Sequence, residues 1–516
     1  EKQDEITCEW PKFSVWDQGR NSTIFGRIDC QSTQPSLASL DDFGYLTVTA
    51  PYSKTLDYST ANCFYRPLPL NTSDKQPTEM QFDSRAKVDH DQFVVACVHG
   101  SDTIYEEAFF NPIVQVPSRA SGKSGNTTAA DPMNPSIAII IIDGVSREAF
   151  ARNLPMTMAL MRSKDFFVPS RYSQSFSDAE SNLGMLMNGN DSTSLLDMMK
   201  ARGCLTLSNE ETSLDDGDLL FPFADVSTRP LHMYNQQTRP SEHCLGNGKS
   251  IVASVLSPLL SFSSASRDAC TLSLTRLRSP RNRSLIGSID EELSSALAQL
   301  LIISRNTAVF VLSPSAVKGN GLSGVIEGKS PMLAAWFPTE FRMDRNQHYS
   351  AFAWNMDKLF TTRDVRETLR QLAEGSLPDV VEWRDDDEEH NLATSLLSEM
   401  LPEERNCTTL EIPEENCACL GSNKQRNATV NADGILYKRV FELVQSRAVQ
   451  EPCIEGIEMD RRWFHVNAYR MFEKGVDNED NDVEWLTIKF YAKIRDRQVI
   501  HGGNYGAGSE DLVWFK

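Results

Sequence analysis

The chain has 516 residues, with 40% apolar and 24% charged side chains, the composition of a folded protein long enough to bury a large core. Lysine and arginine total 51 against 71 acidic residues, a net charge of −20. That balance argues against a nucleic-acid binder, which needs a basic face to replace phosphate counterions, and against attachment to anionic lipid by charge alone.

The chain opens on Glu1-Lys2-Gln3-Asp4-Glu5 with no signal peptide in view, which reads as a mature or trimmed ectodomain. Residues 1–133 read as a β-rich domain. Gly44 to Ala50 alternates with period two, and Gln92 to Val98 is a second strand candidate. From about residue 118 to Asn134 the sequence is rich in Ser, Gly, Thr and Pro and reads as a linker. Residues 134–400 alternate strand and helix signals, which predicts an α/β sheet. The run Ile137-Ala138-Ile139-Ile140-Ile141-Ile142 is continuously apolar, the pattern of a strand buried on both faces of a parallel sheet, and far too short to span a membrane. Ser146 is placed to cap a helix ending near Pro155. Further helices are predicted over about 290–303 and after Thr362, the latter closed by Gly375, with a buried strand at Ala308–Leu312 between them. The acidic run Asp385–Glu389 reads as a solvated loop. Residues 401–516 read as a Cys-containing, β-rich C-terminal region with a strand at Trp485–Tyr491.

Cysteine placement and sequons bear on compartment. Cys8, Cys30, Cys63 and Cys97 crowd the start, and Cys407, Cys417, Cys419 and Cys453 the end, with Cys204, Cys244 and Cys270 between. No Cys-x-x-Cys pair exists, so disulfides are favoured over metal, and the odd count of eleven leaves one thiol free or paired between chains. Seven Asn-x-Ser/Thr sequons, at Asn21, Asn71, Asn126, Asn190, Asn282, Asn406 and Asn427, are candidate glycosylation sites. Together these features predict an extracellular protein, secreted or a cell-surface ectodomain, with no membrane span in this chain.

Several motifs look like chemistry and are better read as structure. Gly246-Asn247-Gly248-Lys249-Ser250 lacks the upstream glycine and strand of a P-loop, and Gly319–Gly324 fits Gly-x-Gly-x-x-Gly without a helix opening after it. No Gly-x-Ser-x-Gly or His-Glu-x-x-His is present, and none of the eight histidines pairs with another at metal-ligand spacing. Asp143 stands out, because it closes the apolar strand at the sheet edge where α/β proteins bind ligands, although an acid in a strand-to-helix turn reads the same way.

At Asp143 the sequence resembles a known family. Ile142–Arg147 through Leu154-Pro155, Asp102–Glu106 after Cys97, Thr361–Leu369, and Ser395 to Cys419 with Leu401-Pro402, Arg405, Cys407, Ile412-Pro413 and Cys417-Ala418-Cys419 are similar to an uncharacterised animal family of secreted or single-span proteins. That family has an alkaline-phosphatase/sulfatase-like core. The resemblance implies a core sheet flanked by helices between two β-rich, Cys-containing regions. It also implies an active site in which a metal-bound Thr or Ser attacks phosphorus or sulfur while Asp and His hold one or two divalent ions. Asp143 corresponds to the first metal Asp. The nucleophile's Asp-Asn-Thr-Phe-Pro-Asn context is matched here by Ser177–Asn182, with Ala179 at the nucleophile, and a slip of one or two residues offers Ser177 or Ser181. Pro314 and Ser315 fall where an Asp-His pair belongs, and Ser288-Ile289-Asp290 lacks the usual histidine. One retained ligand does not hold zinc tightly. The expectation is a degenerate member: an extracellular pseudoenzyme that uses a protein or glycan partner, needs no cofactor and binds no metal. The alternative is a divergent metal-dependent phosphoester or sulfoester hydrolase with zinc or calcium, using Asp143, Ser177 or Ser181, and Asp178 or Glu180.

Overall fold

The computed structural model describes residue 10 and residues 28–34, 36–41, 43–49, 61–70, 78–111, 128–189, 193–217, 219–235, 240–241, 243–278, 283–317, 326–382, 392–403 and 405–419, with four helical residues at 438–445 and the backbone of five later strands. Among the described residues the N-terminal part is all β. Strands β1 (Ala38–Leu40), β2 (Tyr45–Val48), β3 (Asn62–Pro67), β4 (Met80–Gln81), β5 (Arg85–Lys87), β6 (Gln92–His99) and β7 (Asp102–Phe110) form two sheets, ordered β1-β2-β5 and β4-β3-β6-β7.

The core follows in chain order as β8 (Ser136–Ile142), α1 (Arg147–Asn153), α2 (Pro155–Ser163), β9 (Tyr172–Ser173), α3 (Ala179–Asn188), α4 (Leu195–Ala201), β10 (Leu205–Glu210), β11 (Val226–Thr228), α5 (Pro230–Asn235), α6 (Ile251–Ala265), β12 (Thr271–Leu277), α7 (Asp290–Ile303), β13 (Thr307–Leu312), β14 (Leu333–Trp336), α8 (Thr339–Asp344), α9 (Asn346–Asn355), β15 (Phe360–Thr361) and α10 (Thr362–Glu374). Six strands make one sheet in the order β11-β10-β12-β8-β13-β14, parallel except for the antiparallel edge strand β14.

The continuous apolar run in β8 has a direct cause. Ile137, Ile139 and Ile141 join Leu183, Leu186, Met199, Val365 and Leu369 of α3, α4 and α10 on one face. Ala138, Ile140 and Ile142 join Phe150, Met158, Val255, Leu259, Leu293 and Leu297 of α1, α2, α6 and α7 on the other. Each buried isoleucine contributes roughly 2 kcal/mol of transfer free energy, so neither face of β8 tolerates a polar residue.

Local signals set the helix ends. The Ser146 hydroxyl accepts from Ala149 N at 3.0 Å and opens α1. Pro155 opens α2 at the position where a missing N–H costs nothing. Thr361 and Asp364 form a capping box on α10, and Gly375 closes it in the left-handed region at φ +69°.

The N-terminal sheets pack directly on the core. Cys30 is bonded to Cys244. The Gln92 side chain accepts from Arg229 N at 2.9 Å, and Asn247 donates to Glu107 at 2.6 Å. The stretch read as linker is described only from residue 128, where it is stitched to the core: Thr128 N donates to Gly203 O, and its carbonyl accepts from Cys270 N. Beyond the core, Ile454–Met459 pairs antiparallel with Ala492–Asp496, and Val483–Lys489 lies between His465–Met471 and Val513–Phe515. Among the described residues no helix is long and apolar enough to cross a membrane.

Asp91 lies at the seam between sheets and core. Burial lifts its carboxyl from about 3.8 to about 6, against the lowering effect of the Ser227 N–H, and Oδ1 has no partner among the described residues. A folded pKa above the unfolded one means the folded state binds the extra proton. Stability is therefore expected to fall as pH rises from about 4 through 6, by roughly 1–3 kcal/mol. Asp91→Asn is expected to flatten that slope and to raise the urea midpoint at pH 7.5 but not at pH 4. A wild-type stability that rises over this window contradicts the assignment.

Candidate functional site

Three strand ends converge above the sheet. In the register of β10, β12 and β8, Glu210, Arg276 and Ile141 lie side by side on one face. Asp143, two residues past Ile141, continues that face just beyond β8, its N–H donating to Leu277 O at 3.1 Å. The Arg276 guanidinium reaches Asp143 from both Nε (3.1 and 3.2 Å) and Nη2 (2.9 Å). The same Nη2 donates to Glu180 at 2.7 Å. Arg278 lies 3.7 Å from Asp143 and 3.2 Å from Asp216. Burial opposes the charge on Arg276, but Asp143 and Glu180 outweigh it and raise its pKa above the ordinary value. Burial pushes the Glu210 carboxyl upward, and the Ser208 hydroxyl, the Leu220 N–H and Arg276 pull against it.

The N-terminus of α3 faces this cluster. Asp178 caps the helix by accepting from Ser181 N at 2.7 Å, and bonds from the Ser181 backbone hold its carboxyl below the usual range. Ala179 is the first helical residue, and Glu180 follows it onto Arg276. Ser177 donates to Glu415 at 2.7 Å. Buried Asn182 pins the preceding loop, accepting from Ser175 N and Phe176 N and donating to the carbonyls of Phe176 and Asp178.

The end of β13 supplies the third wall. Ser313 accepts from Val145 N at 3.0 Å and donates to Ser315 O at 2.6 Å, and Ala316 bridges to Gly144. Pro314 and Ser315 thus lie beside the Asp143-Gly144 turn. Asp290 lies elsewhere. Its carboxylate accepts from Met156 N, Thr157 N and the Thr157 hydroxyl at 2.7–2.8 Å, and so caps α2 from the opposite face of the sheet.

The divalent ion implied by the resemblance does not fit these residues. Asp143, the expected ligand, is held on two sides by a buried guanidinium. Pro314 has no ligand atom, and Ala179 has no nucleophilic oxygen. Sequence reasoning missed Arg276. Its signal was the strand Thr271–Leu277, in which Leu272 and Leu274 face the core and the next position on that face is a cation.

Among the described residues the one grouping of three metal-type side chains is Cys407, Cys417 and Cys419. Cys407 is bonded to Cys417, and Cys419 is also disulfide-bonded, so no thiolate is offered there. Cys63–Cys97 and Cys204–Cys270 complete the described pairs, and Cys8 and Cys453 lie outside the described residues. Of the sequons only Asn406 is described. It is half-buried, and its side-chain oxygen accepts from Thr408 N and Thr409 N at 3.0 Å. Gly246–Ser250 forms a turn ending in the Ser250 cap of α6. The run Asp385–Glu389 and the Gly319–Gly324 motif lie outside the described residues.

Residues 26–222 and 315–453, more than half the chain, match the family described as "Protein of unknown function (DUF229)". The chain belongs to that family. No curated protein matches this DUF229 member in sequence. Solved structures similar to it include the C-terminal periplasmic domain of EcEptC from Escherichia coli, at 13% identity and a TM-score of 0.37 over 49% of this chain and 84% of that one. A protein in the alkaline phosphatase superfamily from Vibrio parahaemolyticus is similar at 10% identity and a TM-score of 0.33, over 51% and 74%. BT1596, a 2-O GAG sulfatase, is similar at 9% identity and a TM-score of 0.33, over 70% and 85%. In this DUF229 chain the disulfides are consistent with an extracellular or periplasmic setting.

Proposed function

We propose that this chain is an extracellular glycoprotein, secreted or displayed as a cell-surface ectodomain, that acts by binding a protein or glycan partner and not by hydrolysis. The observation that carries the reading is the Arg276–Asp143 pair. A carboxylate neutralised by a buried guanidinium is not available to hold the divalent ion that would lower the pKa of a nucleophile. The neighbouring side chains are committed as well. Ser177 bonds to Glu415, Asp178 accepts from the Ser181 backbone and side chain at the start of α3, and Glu180 bonds to Arg276, so the acids and hydroxyls of the hydrolase alternative serve structure. The sequons and disulfides support passage through a secretory route, where both modifications form.

The test is elemental analysis for zinc, calcium and manganese, joined to phosphate- and sulfate-ester assays, on protein secreted from a eukaryotic host without chelator. The expected outcome is substoichiometric zinc and no turnover. Ester hydrolysis that disappears in Asp143→Asn would overturn the proposal and restore the metal-dependent hydrolase.

A further inference from the structure

We infer that Arg276 is a tethered replacement for a metal ion: its guanidinium, with that of Arg278 nearby, supplies to Asp143 and Glu180 the positive charge that the resemblance assigns to a divalent cation. The inference rests on the same site as the proposed function but concerns what stabilises it. The geometry carries it. The carboxylates of Asp143 and Glu180 converge on one guanidinium at 2.7–3.2 Å, and the two acids come from a strand end and a helix start far apart in sequence. Glu210 stands next to Arg276 in register, and Asp216 holds Arg278 at 3.2 Å. Two guanidiniums supply two positive charges, the charge of one divalent ion. The Arg276 side chain is 5% exposed and that of Asp143 13%, so their charges face each other largely without water. A buried carboxylate left without a counter-charge is strongly destabilising, whichever cation supplies it. The two carboxylates that meet Arg276 offer only oxygens, which is why calcium and manganese, not zinc, are the ions to test in its absence.

The inference makes opposite demands on the native chain and on Arg276→Ala. The native protein is expected to keep its melting temperature in 5 mM EDTA and in ~2 mM calcium or manganese chloride, concentrations that fill ordinary oxygen sites. Arg276→Ala is expected to melt roughly 5–10 °C lower and to recover at least half of that loss with calcium or manganese. Asp143→Asn added to Arg276→Ala is expected to abolish the recovery. A folded Arg276→Ala that ignores both ions, or that melts with the native protein, overturns the inference. So does a native protein destabilised by chelator.

If Arg276→Ala is not secreted, Asp143→Asn/Arg276→Met decides, because it removes both charges and keeps the volume. Secretion and melting close to native support a charge role, and failure assigns Arg276 to packing alone and overturns the inference. Hydrolysis by the native chain would sink the binding reading without touching these ion responses. Ion-insensitivity of Arg276→Ala would sink the tethered cation and leave the binding reading standing.

Discussion

Asp364→Ala is expected to be among the most damaging single changes in the core, costing about 3–5 kcal/mol in urea unfolding at neutral pH. Asp364 is completely buried and serves three partners at once. It accepts from Thr361 N at 2.7 Å as the reciprocal half of the α10 cap, from Thr394 N at 2.9 Å, and from the Arg405 guanidinium at 3.0 Å. Alanine leaves two backbone donors without an acceptor and one buried cation without its counter-charge, and each loss is expensive. Arg405→Met is expected to cost less, because Asp364 keeps its two N–H donors while Arg405 gives up only its ion pair and its bond to Leu359 O. The double variant is expected to cost less than the sum of the singles, since removing Arg405 relieves the charge stranded by Asp364→Ala. Additive losses, or a loss under about 1 kcal/mol for Asp364→Ala, would contradict this account. The effect reaches the site as well. Thr362, the first residue of α10, bonds to Asn182, which pins the loop at the start of α3 where Glu180 meets Arg276.

The elements legible in the sequence are those whose burial pattern is carried by apolar residues alone. The strand at Ile137–Ile142 declares itself because both faces of β8 are covered, α7 shows itself by its apolar face, and α10 begins and ends at its local capping signals. The strands β10 and β12 escaped for the opposite reason. They alternate Leu with Ser, Thr and Asn, which resembles a half-exposed strand, yet nearly every residue is buried. Their polar side chains are satisfied inside: Thr206 bonds to Asp225, and Asn209 to Val255 O and Thr275. Arg276 belongs to that hidden pair of strands, so a one-dimensional reading placed Asp143 without its counter-charge. The N-terminal unit was legible as β-rich, but its union with the core rests on side chains such as Gln92, Asn247 and Glu107, whose partners are over a hundred residues away. Disulfide pairing was equally out of reach, because spacing does not say which cysteines the fold brings together.

Removing the Cys30–Cys244 bond by a double change to serine is expected to be the costliest disulfide loss among the described pairs. The bond closes a separation of 214 residues, against 66 for Cys204–Cys270 and 10 for Cys407–Cys417. If restriction of the unfolded chain dominates, the losses follow the logarithm of loop length, at about 5, 4 and 3 kcal/mol respectively. The Cys63–Cys97 and Cys204–Cys270 bonds shorten the effective loop, which on the same logarithmic dependence lowers the first figure by only a few tenths of a kcal/mol and keeps the ranking. The first variant is still expected to fold. The hydrogen bonds from Arg229 to Gln92 and from Asn247 to Glu107 remain, and Leu68, Val94 and Phe110 still pack with Met233 and Leu259 of the core. Its distinguishing trait is expected to be early cleavage near the seam under limited proteolysis, with the α/β core surviving, because among the described disulfides this bond joins the two. Urea midpoints of the three double variants provide the ranking. A reversed order, with Cys407–Cys417 the costliest, would show that local strain or packing around Leu410 and Ile412 outweighs chain entropy in this protein.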